Sequence, residues 1–256
     1  MKIRFLGAHN TESQETKLVS LLIDERLVLD AGGLTSSLSF DQQLKLMAIL
    51  LSHQHYDHIK DIPLLGMNLY LKGANIDIFS ISSVYDSLAD HFLNDALYPE
   101  FMKETKEGQT IRFHIIKAYQ EFRIANYTIM PLSVIHSVPA VGYQITSTEG
   151  KVVFYTGDTG LGLSNCWRQI SPQLIITEVT APDRFEQFGK QKGHLTPCLL
   201  KREMLDFIKI KGYVPDIVTV HMNPALESEI ETELSTLAME LGNSVTLAYE
   251  GLEIEL

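Results

Sequence analysis

The order of apolar and polar residues along the chain predicts strands that alternate with helices. Short apolar runs bounded by polar turn residues are typical of strands, and longer amphipathic runs are typical of helices. Strands are predicted at Lys2–Leu6, Leu18–Ile23, Arg26–Leu29, Met47–Leu51, Thr110–Ile116, Phe122–Leu132, Gly142–Thr146, Val152–Tyr155, Leu174–Thr177, Ile217–Val220 and Val245–Tyr249. Helices are predicted at Phe40–Leu46, Ile62–Leu71, Val84–Leu97, Leu195–Ile208 and Ala225–Leu241.

The distribution of these elements predicts one domain over residues 1–256. Strands occur in both halves with helices between them, and no segment has the composition of a linker. This order is typical of two packed sheets flanked by helices. A chain of 256 residues with 45% apolar residues can bury a core large enough to be stable without disulfides.

Charge and cysteine content narrow the class of protein. The net charge is −11 and no dense basic stripe occurs, which argues against a long nucleic acid as partner. Cys166 and Cys198 belong to no CxxC pair, so we expect two buried thiols in a reducing compartment. No apolar run approaches the ~20 residues that a membrane helix needs, and the N-terminal apolar stretch is too short for a signal peptide. We therefore expect a cytoplasmic protein with no membrane contact.

The strongest chemical signal is the run HQHYDH at residues 53–58. Three imidazoles and a carboxylate this close together would carry a desolvation cost unless a cation lay among them. Imidazole and carboxylate are ligands of Zn²⁺, and Mn²⁺ and iron accept them too. The run follows the predicted strand Met47–Leu51, so these side chains lie on a loop at a strand end.

Three further candidate ligands also lie where predicted strands end. They are His136, Asp158 and His221. Asp158 belongs to Thr156-Gly157-Asp158-Thr159, in which the glycine permits close backbone approach. Their joint occurrence at strand ends, downstream of the histidine-rich run, favours metal ligands over polar strand caps.

The pattern HxHxDH, followed by His, Asp and His at strand ends, resembles the metallo-β-lactamase superfamily over nearly the whole chain. The resemblance implies an α/β fold, a four-layer αββα sandwich built from two pseudo-equivalent halves, with two divalent metal ions between them. It implies that His53, His55 and His136 bind one ion, that Asp57, His58 and His221 bind the other, and that Asp158 bridges both. Asp30 matches an acidic position that supports the metal loop without binding the ions. Zn²⁺ is the first expectation, with Mn²⁺ or iron as alternatives.

Glu178 and His194 resemble a pair found in the phosphodiesterase branch of this superfamily, which includes ribonuclease Z and the class II cyclic-nucleotide phosphodiesterases. A Glu that orients a His beside a metal site makes a proton donor for a leaving alkoxide. The stretch GHLTP at residues 193–197 and the segment His91–Phe101 are similar to the cyclic-nucleotide group. Asp57, Glu178 and His194 are thus the candidate catalytic residues.

The expected activity is metal-dependent hydrolysis of a small phosphodiester, foremost a cyclic nucleotide, by hydroxide formed at the metals. Three alternatives stay open: a ribonuclease Z type endonuclease, a thioester or lactone hydrolase, and a di-iron oxygen or redox sensor. A basic, glycine-rich arm for holding tRNA is not evident in the sequence, and a homodimer is left open. His9 and Asn10 either line the cleft or cap a turn, and His114 is expected to be structural.

Overall fold

The computed structural model describes residues 1–105 and 108–256, which form two seven-stranded sheets. The first sheet has the order β14-β1-β2-β3-β4-β5-β6 and contains β1 (Lys2–Gly7), β2 (Ser20–Ile23), β3 (Leu27–Leu29), β4 (Ala48–Leu50), β5 (Ile76–Ser80), β6 (Ile111–Ile115) and β14 (Glu253–Glu255). The second has the order β13-β12-β11-β10-β9-β8-β7 and contains β7 (Phe122–Ile124), β8 (Tyr127–Ser133), β9 (Val141–Ser147), β10 (Val152–Tyr155), β11 (Leu174–Glu178), β12 (Asp216–Val220) and β13 (Val245–Leu247).

Helices cover the outer faces of both sheets. They are α1 (Phe40–Gln43), α2 (Tyr56–Ile59), α3 (Ile62–Tyr70), α4 (Ser82–His91), α5 (Ser164–Gln169), α6 (Glu186–Lys192), α7 (Pro197–Lys211) and α8 (Glu227–Leu241). Residues from α2, α3 and α4 share a core with the first sheet, and residues from α5, α7 and α8 share a core with the second. A third core lies between the sheets. The structure is therefore the predicted four-layer αββα sandwich.

The strands β4 and β10 consist of apolar and aromatic residues because both of their faces are buried. In β4, Ala48 and Leu50 face the core between the sheets, whereas Ile49 faces the helices. In β10, Tyr155 faces the inner core and Phe154 the outer one. Successive side chains of a strand point to opposite faces, so burial of both faces favours apolar residues at successive positions.

Several predicted boundaries are wrong, for local reasons. The predicted strand Phe122–Leu132 is the hairpin β7–β8, because Ala125 has a φ of +46° and turns the chain. The predicted helix Val84–Leu97 ends at His91. The short elements β5, α5 and α6 had not been predicted. The strand predicted at Val245–Tyr249 is not the last one in the chain, because β14 follows it and pairs with β1 of the first sheet.

The strand directions bring the candidate ligands to one end of the sandwich. In the first sheet β3 to β6 are parallel, and in the second β10 to β13 are parallel. The run at residues 53–58 follows β4, Asp158 follows β10 and His221 follows β12. Side chains that follow the carboxyl ends of parallel strands meet at one edge of a sheet.

The two cysteines differ in burial. Cys166 is buried in the outer core of the second sheet, as predicted, but Cys198 is only partly buried because it lies at the margin of that core, in the first turn of α7. Across the described ranges, no helix is both long and apolar enough to cross a bilayer. The cytoplasmic compartment, the single domain and the oligomeric state stay predictions.

Glu203 of α7 holds the loop that follows Asp158. Its buried carboxylate accepts hydrogen bonds from the backbone N–H groups of Gly162 (2.6 Å) and Leu163 (3.2 Å) and from the indole N–H of Trp167 (2.9 Å). These bonds tie the loop between β10 and α5 to the helix layer. A buried carboxylate with three donors is costly to remove because every donor is left without a partner.

We expect Glu203→Ala to lower the free energy of unfolding by about 3 kcal/mol, since three donors lose their acceptor and two of them belong to the buried residues Leu163 and Trp167. The measurement is urea unfolding followed by circular dichroism. The matched control is Glu231→Ala, which removes an exposed glutamate of α8. Equal unfolding midpoints for the two variants would contradict the role given to Glu203.

Candidate metal centre

The structure brings all seven predicted ligands together. One group comprises His53, His55, His136 and Asp158, and another comprises Asp57, His58, Asp158 and His221. Within each group the ligand atoms lie within 4.8 Å of one another. Asp158 belongs to both groups, and the exposed fraction of its side chain is 2%. Each group could hold a metal ion, and the two groups share the carboxylate of Asp158.

Four of the histidines are oriented by a hydrogen bond at the Nδ1 atom. His53 Nδ1 lies 3.0 Å from Ser52 Oγ, His58 Nδ1 lies 2.7 Å from Asp30 Oδ2, and His136 Nδ1 lies 2.9 Å from the carbonyl oxygen of Gly193. In the same way His221 Nδ1 lies 2.9 Å from Thr180 Oγ1. A hydrogen bond at one ring nitrogen sets the tautomer and directs the other nitrogen. Each Nε2 atom is therefore directed into the centre.

The atoms that meet in the centre are short of hydrogen-bond donors. Within the described part of the chain, the buried His53 Nε2 has no hydrogen-bond partner, and the buried His58 Nε2 and Asp158 Oδ1 lie 3.2 Å from each other without the geometry of a hydrogen bond. His221 Nε2 lies 3.1 Å from Asp57 Oδ2, and His136 Nε2 lies 3.1 Å from His55 Nδ1. If these atoms carry lone pairs, each close pair repels unless a cation lies nearby.

The pKa shifts of His53 and His55 disfavour protonation of these two imidazoles, which favours a metal cation as the positive charge beside them. Burial lowers the pKa of His53 well below its usual range, and nearby His58 adds to the effect. Burial and His136 also lower the pKa of His55. Although burial alone would raise it, His221 and His58 hold the pKa of Asp158 well below the ordinary value for a carboxyl group. Burial alone would lower the pKa of His58, but Asp158, Asp30 and Asp57 outweigh burial and raise it well above its usual range. Imidazole and carboxylate groups are the donor set that divalent transition metals take, so the residues fit the implied ions.

Asp30 supports the centre from below, as predicted. Its fully buried carboxylate accepts hydrogen bonds from the backbone N–H and the hydroxyl of Ser52 (both 2.7 Å), from His58 Nδ1 (2.7 Å) and from the phenol of Tyr155 (2.6 Å). Ser52 and His58 belong to the first half of the chain, whereas Tyr155 ends β10 of the second sheet. Asp30 therefore links both sheets directly beneath the ligands.

Two residues of the centre have strained backbone conformations. Asp30 has a φ of +54° and His221 a φ of +65°, a region that residues other than glycine rarely adopt. The backbone N–H of His221 donates to the carbonyl oxygen of Ala8 at 2.6 Å, which holds the turn. Such strain persists only where surrounding contacts enforce it, and it is found mainly at functional sites.

The fully buried Glu178 and the partly buried His194 form a pair beside the ligands. His194 Nδ1 lies 2.7 Å from Glu178 Oε1, and the ring centroid of His194 lies 5.0 Å from that of His136. Burial lowers the pKa of His194, but the Glu178 carboxylate outweighs this effect and raises it to about 9. With Nδ1 held by Glu178, the Nε2 atom of His194 is the nitrogen left for a substrate.

Close backbone approach between loops requires glycine at two places. A Cβ on Gly193 would lie 2.8 Å from the Cα of His136, and Gly193 has a φ of +75°. A Cβ on Gly157, which has a φ of +60°, would lie 2.7 Å from the Cβ of Ser52. These glycines let the loops that carry His136 and Asp158 pack directly against their neighbours.

The structure also shows the contacts of several residues whose roles the sequence left open. His9 is buried and its Nδ1 lies 2.8 Å from Glu250 Oε1, so it ties a turn to the C-terminal segment. Tyr143 is fully buried and its phenol donates to the carbonyl oxygen of Leu51 at 2.7 Å. His114 is partly exposed and pairs with Asp77 at 2.7 Å, consistent with a structural role. In the segment Phe92 to Phe101, the ring of Phe92 stacks on Tyr56.

Sequence reasoning missed the residues that orient the ligands. Ser52, Tyr155 and Thr180 each place a hydroxyl against a ligand or its support. The one available signal was position, since Ser52 precedes His53 and Tyr155 lies three residues before Asp158. Thr180 lies two residues after Glu178, but its distance from His221 along the chain hides the contact.

Comparisons with solved structures give the same fold at low sequence identity. The metallo-β-lactamase fold protein YhfI from Bacillus subtilis is 20% identical, with a TM-score of 0.78 over 100% of this chain and 98% of that one. Yeast PDE1 is 14% identical, with a TM-score of 0.85 over 100% and 99%. The short form of human tRNase Z is 16% identical, with a TM-score of 0.68 over 100% and 99%.

One curated protein, an octanoyltransferase of Porphyromonas gingivalis (strain ATCC BAA-308 / W83), is 25% identical over 156 residues. That match spans 58% of this chain and only 28% of the relative's length. The family model described as the beta-lactamase superfamily domain matches residues 29–222, which include all seven candidate ligands. With that match, the αββα fold and the two ligand groups that share Asp158, the chain belongs to the metallo-β-lactamase superfamily.

Proposed function

We propose that this protein is a two-metal hydrolase of small phosphodiesters, with cyclic nucleotides as the first candidate substrates. In this proposal His53, His55 and His136 hold one ion, and Asp57, His58 and His221 hold the other, with Asp158 between them. The observation that carries the proposal is the Glu178–His194 pair, which lies beside the ligands with a 2.7 Å contact at Nδ1. The fold similarity to yeast PDE1 supports it.

When bound at these residues, divalent cations would lower the pKa of a bound water to near neutral and neutralise phosphate oxygens as charge develops. The residues of the chain supply the remaining chemistry. Asp57, whose carboxylate is partly exposed at 28%, faces the substrate side of the centre and helps to orient the attacking water. His194 Nε2 donates a proton to the departing oxygen when the P–O bond breaks, and Glu178 holds the imidazolium in place.

The proton donor distinguishes phosphodiester hydrolysis from thioester hydrolysis and from oxygen sensing. A sugar alkoxide is a poor leaving group and needs a proton, whereas a thiolate leaves without one. A thioester hydrolase would therefore have no use for the Glu178–His194 pair. A centre that only senses oxygen would not need the pair either. The buried, fully hydrogen-bonded Glu178 thus supports a reaction with an alkoxide leaving group.

The charge distribution supports a small substrate over a long nucleic acid. The net charge is −11, and three of the basic residues on α6 and α7 have acidic partners. Lys190 and Arg202 both pair with Glu186, and Lys201 pairs with Glu240. Partnered basic residues offer little charge to a phosphate backbone, which is the main source of affinity for nucleic acids. A ribonuclease Z type activity is therefore the second candidate.

An aromatic surface beside the ligands supports a substrate that carries a base. Tyr56 directly follows His55 and is 58% exposed. Its ring stacks on Phe92 of the α4 C-terminus, with centroids 6.0 Å apart and planes at 23°. A planar ring held on one face by a second ring can stack a nucleobase on its other face, a contact worth about 1–3 kcal/mol.

The direct test is hydrolysis of 3′,5′-cyclic AMP by protein reconstituted with Zn²⁺ or Mn²⁺. We expect turnover by the wild-type protein that a chelator abolishes and that added metal restores. Asp158→Ala is expected to lose both metal and activity, because it removes the shared ligand. Turnover that survives chelation, or that persists in Asp158→Ala, would contradict the two-metal mechanism. With no turnover of cyclic AMP, other phosphodiesters would be tested, then thioesters and lactones.

His194→Ala is expected to keep the metal but to hydrolyse cyclic AMP about 10²- to 10⁴-fold more slowly, because the leaving oxygen loses its proton donor. The same variant should lose little rate on bis(p-nitrophenyl) phosphate, whose leaving group needs no proton. The control is His114→Ala, a histidine that pairs with Asp77. Equal losses of His194→Ala on both substrates would remove His194 as the acid.

Tyr56→Ala is expected to raise KM for cyclic AMP about 10-fold with little change in kcat, since base stacking is lost but the reacting groups stay in place. Tyr56→Phe keeps the ring and should keep the wild-type KM. The measurement is steady-state kinetics of both variants, which gives KM and kcat for cyclic AMP. An unchanged KM in Tyr56→Ala would argue against stacking at this surface.

A further inference from the structure

We infer that the hydroxyl of Thr180 is a positioning group that sets the ring of His221, so that one carboxylate, Glu178, orients both the proton donor and a metal ligand. The inference rests on the two-metal function proposed above. Thr180 Oγ1 lies 2.7 Å from Glu178 Oε2, 2.9 Å from His221 Nδ1 and 3.2 Å from His194 Nδ1. Thr180 is 9% exposed, and Glu178 is fully buried.

The direction of these hydrogen bonds follows from the proton count. A carboxylate can only accept, and a threonine hydroxyl has a single proton. The shortest of the three contacts joins the hydroxyl to Glu178, so the proton of Thr180 goes there. The oxygen of Thr180 can then only accept from His221, which donates to it from Nδ1. The Nε2 atom of His221 keeps its lone pair for the centre.

Glu178 is held so firmly that it can act as the anchor of both histidines. Oε1 accepts from His194 Nδ1 (2.7 Å) and from the backbone N–H of Thr159 (3.1 Å). Oε2 accepts from the hydroxyl of Thr180 and from the backbone N–H of Leu195 at 3.2 Å. Four donors from three segments of chain leave this carboxylate no alternative position. The side chains that it holds are therefore fixed relative to each other.

His221 needs such a contact because its backbone alone does not orient the ring. Its N–H is bound to Ala8, and its φ of +65° holds the residue in a turn, but rotation about the side-chain bonds remains. The contact at Nδ1 stops this rotation and aims Nε2 between Asp57 Oδ2 (3.1 Å) and Asp158 Oδ2 (3.4 Å). Hydrogen-bond partners of this kind typically contribute about 10- to 100-fold to metal affinity.

The test is Thr180→Val, which keeps the shape of the side chain and removes the hydroxyl. Zn²⁺ binding is measured by titration against a competing chelator, together with metal content per chain. We expect two ions in the wild-type protein, and in Thr180→Val one of the two affinities weakened about 10- to 100-fold while the other stays unchanged. Thr180→Ser restores the hydroxyl and should restore the weakened site.

The matched control is Thr219→Val, a buried threonine of β12 whose hydroxyl makes only long contacts, 3.5 Å to the carbonyl oxygen of Thr246 and 3.8 Å to the sulfur of Met222. It lies two residues before His221 but does not touch the ring, so both affinities should stay at the wild-type values. Thermal unfolding of the metal-free variants checks that each one folds.

Three results would overturn the inference. They are unchanged affinities in Thr180→Val, equal weakening of both sites, and failure of Thr180→Ser to restore binding. These outcomes differ from failure of the proposed function, which would show as a wild-type protein that binds no Zn²⁺ or that binds it without hydrolysing any phosphodiester.

Discussion

A buried carboxylate surrounded by imidazoles is the constraint on which the rest of this structure depends. Asp158 lies within 4 Å of ring nitrogens of five histidines, which are His53, His58, His136, His194 and His221. These histidines come from four separate segments of chain. A group this polar is stable inside a protein only when charges balance and each ring is held in one orientation. The loops around it, with their glycines and positive φ values, are shaped to meet both conditions.

The two sheets supply different numbers of ligands to the groups around Asp158. The first sheet supplies the dense ligand run after β4, and Asp30 anchors it from the end of β3. The second sheet supplies single ligands after β8, β10 and β12, together with the Glu178–His194 pair. The phenol of Tyr155 and the carboxylate of Asp30 join the two contributions beneath the centre at 2.6 Å. Because these contacts cross between sheets, we expect sandwich packing and ligand geometry to depend on each other.

The hydrogen-bond partners of the histidines explain how the centre can be both strained and well defined. Asp30 and His221 have positive φ values, yet each is held by hydrogen bonds to neighbouring segments of the chain. Each histidine with an anchored Nδ1 presents one defined nitrogen to the centre. The chemistry proposed for His194 follows the same rule, since Glu178 holds its Nδ1 and leaves its Nε2 for the substrate.

The sequence by itself determined the family, the fold and the seven candidate ligands, because the run at residues 53–58 is dense and the other ligands follow apolar strands. It did not indicate β14 or α6, because these elements are short and largely exposed, which leaves their apolar periodicity weak. Tertiary structure alone decided the roles of Ser52, Tyr155 and Thr180. Each is a common residue whose hydroxyl gains meaning only when folding brings it to a ligand distant in the chain or to its support, and no local pattern records such a contact. Ligands clustered on one loop are visible in sequence, whereas the groups that orient them are selected by three-dimensional proximity.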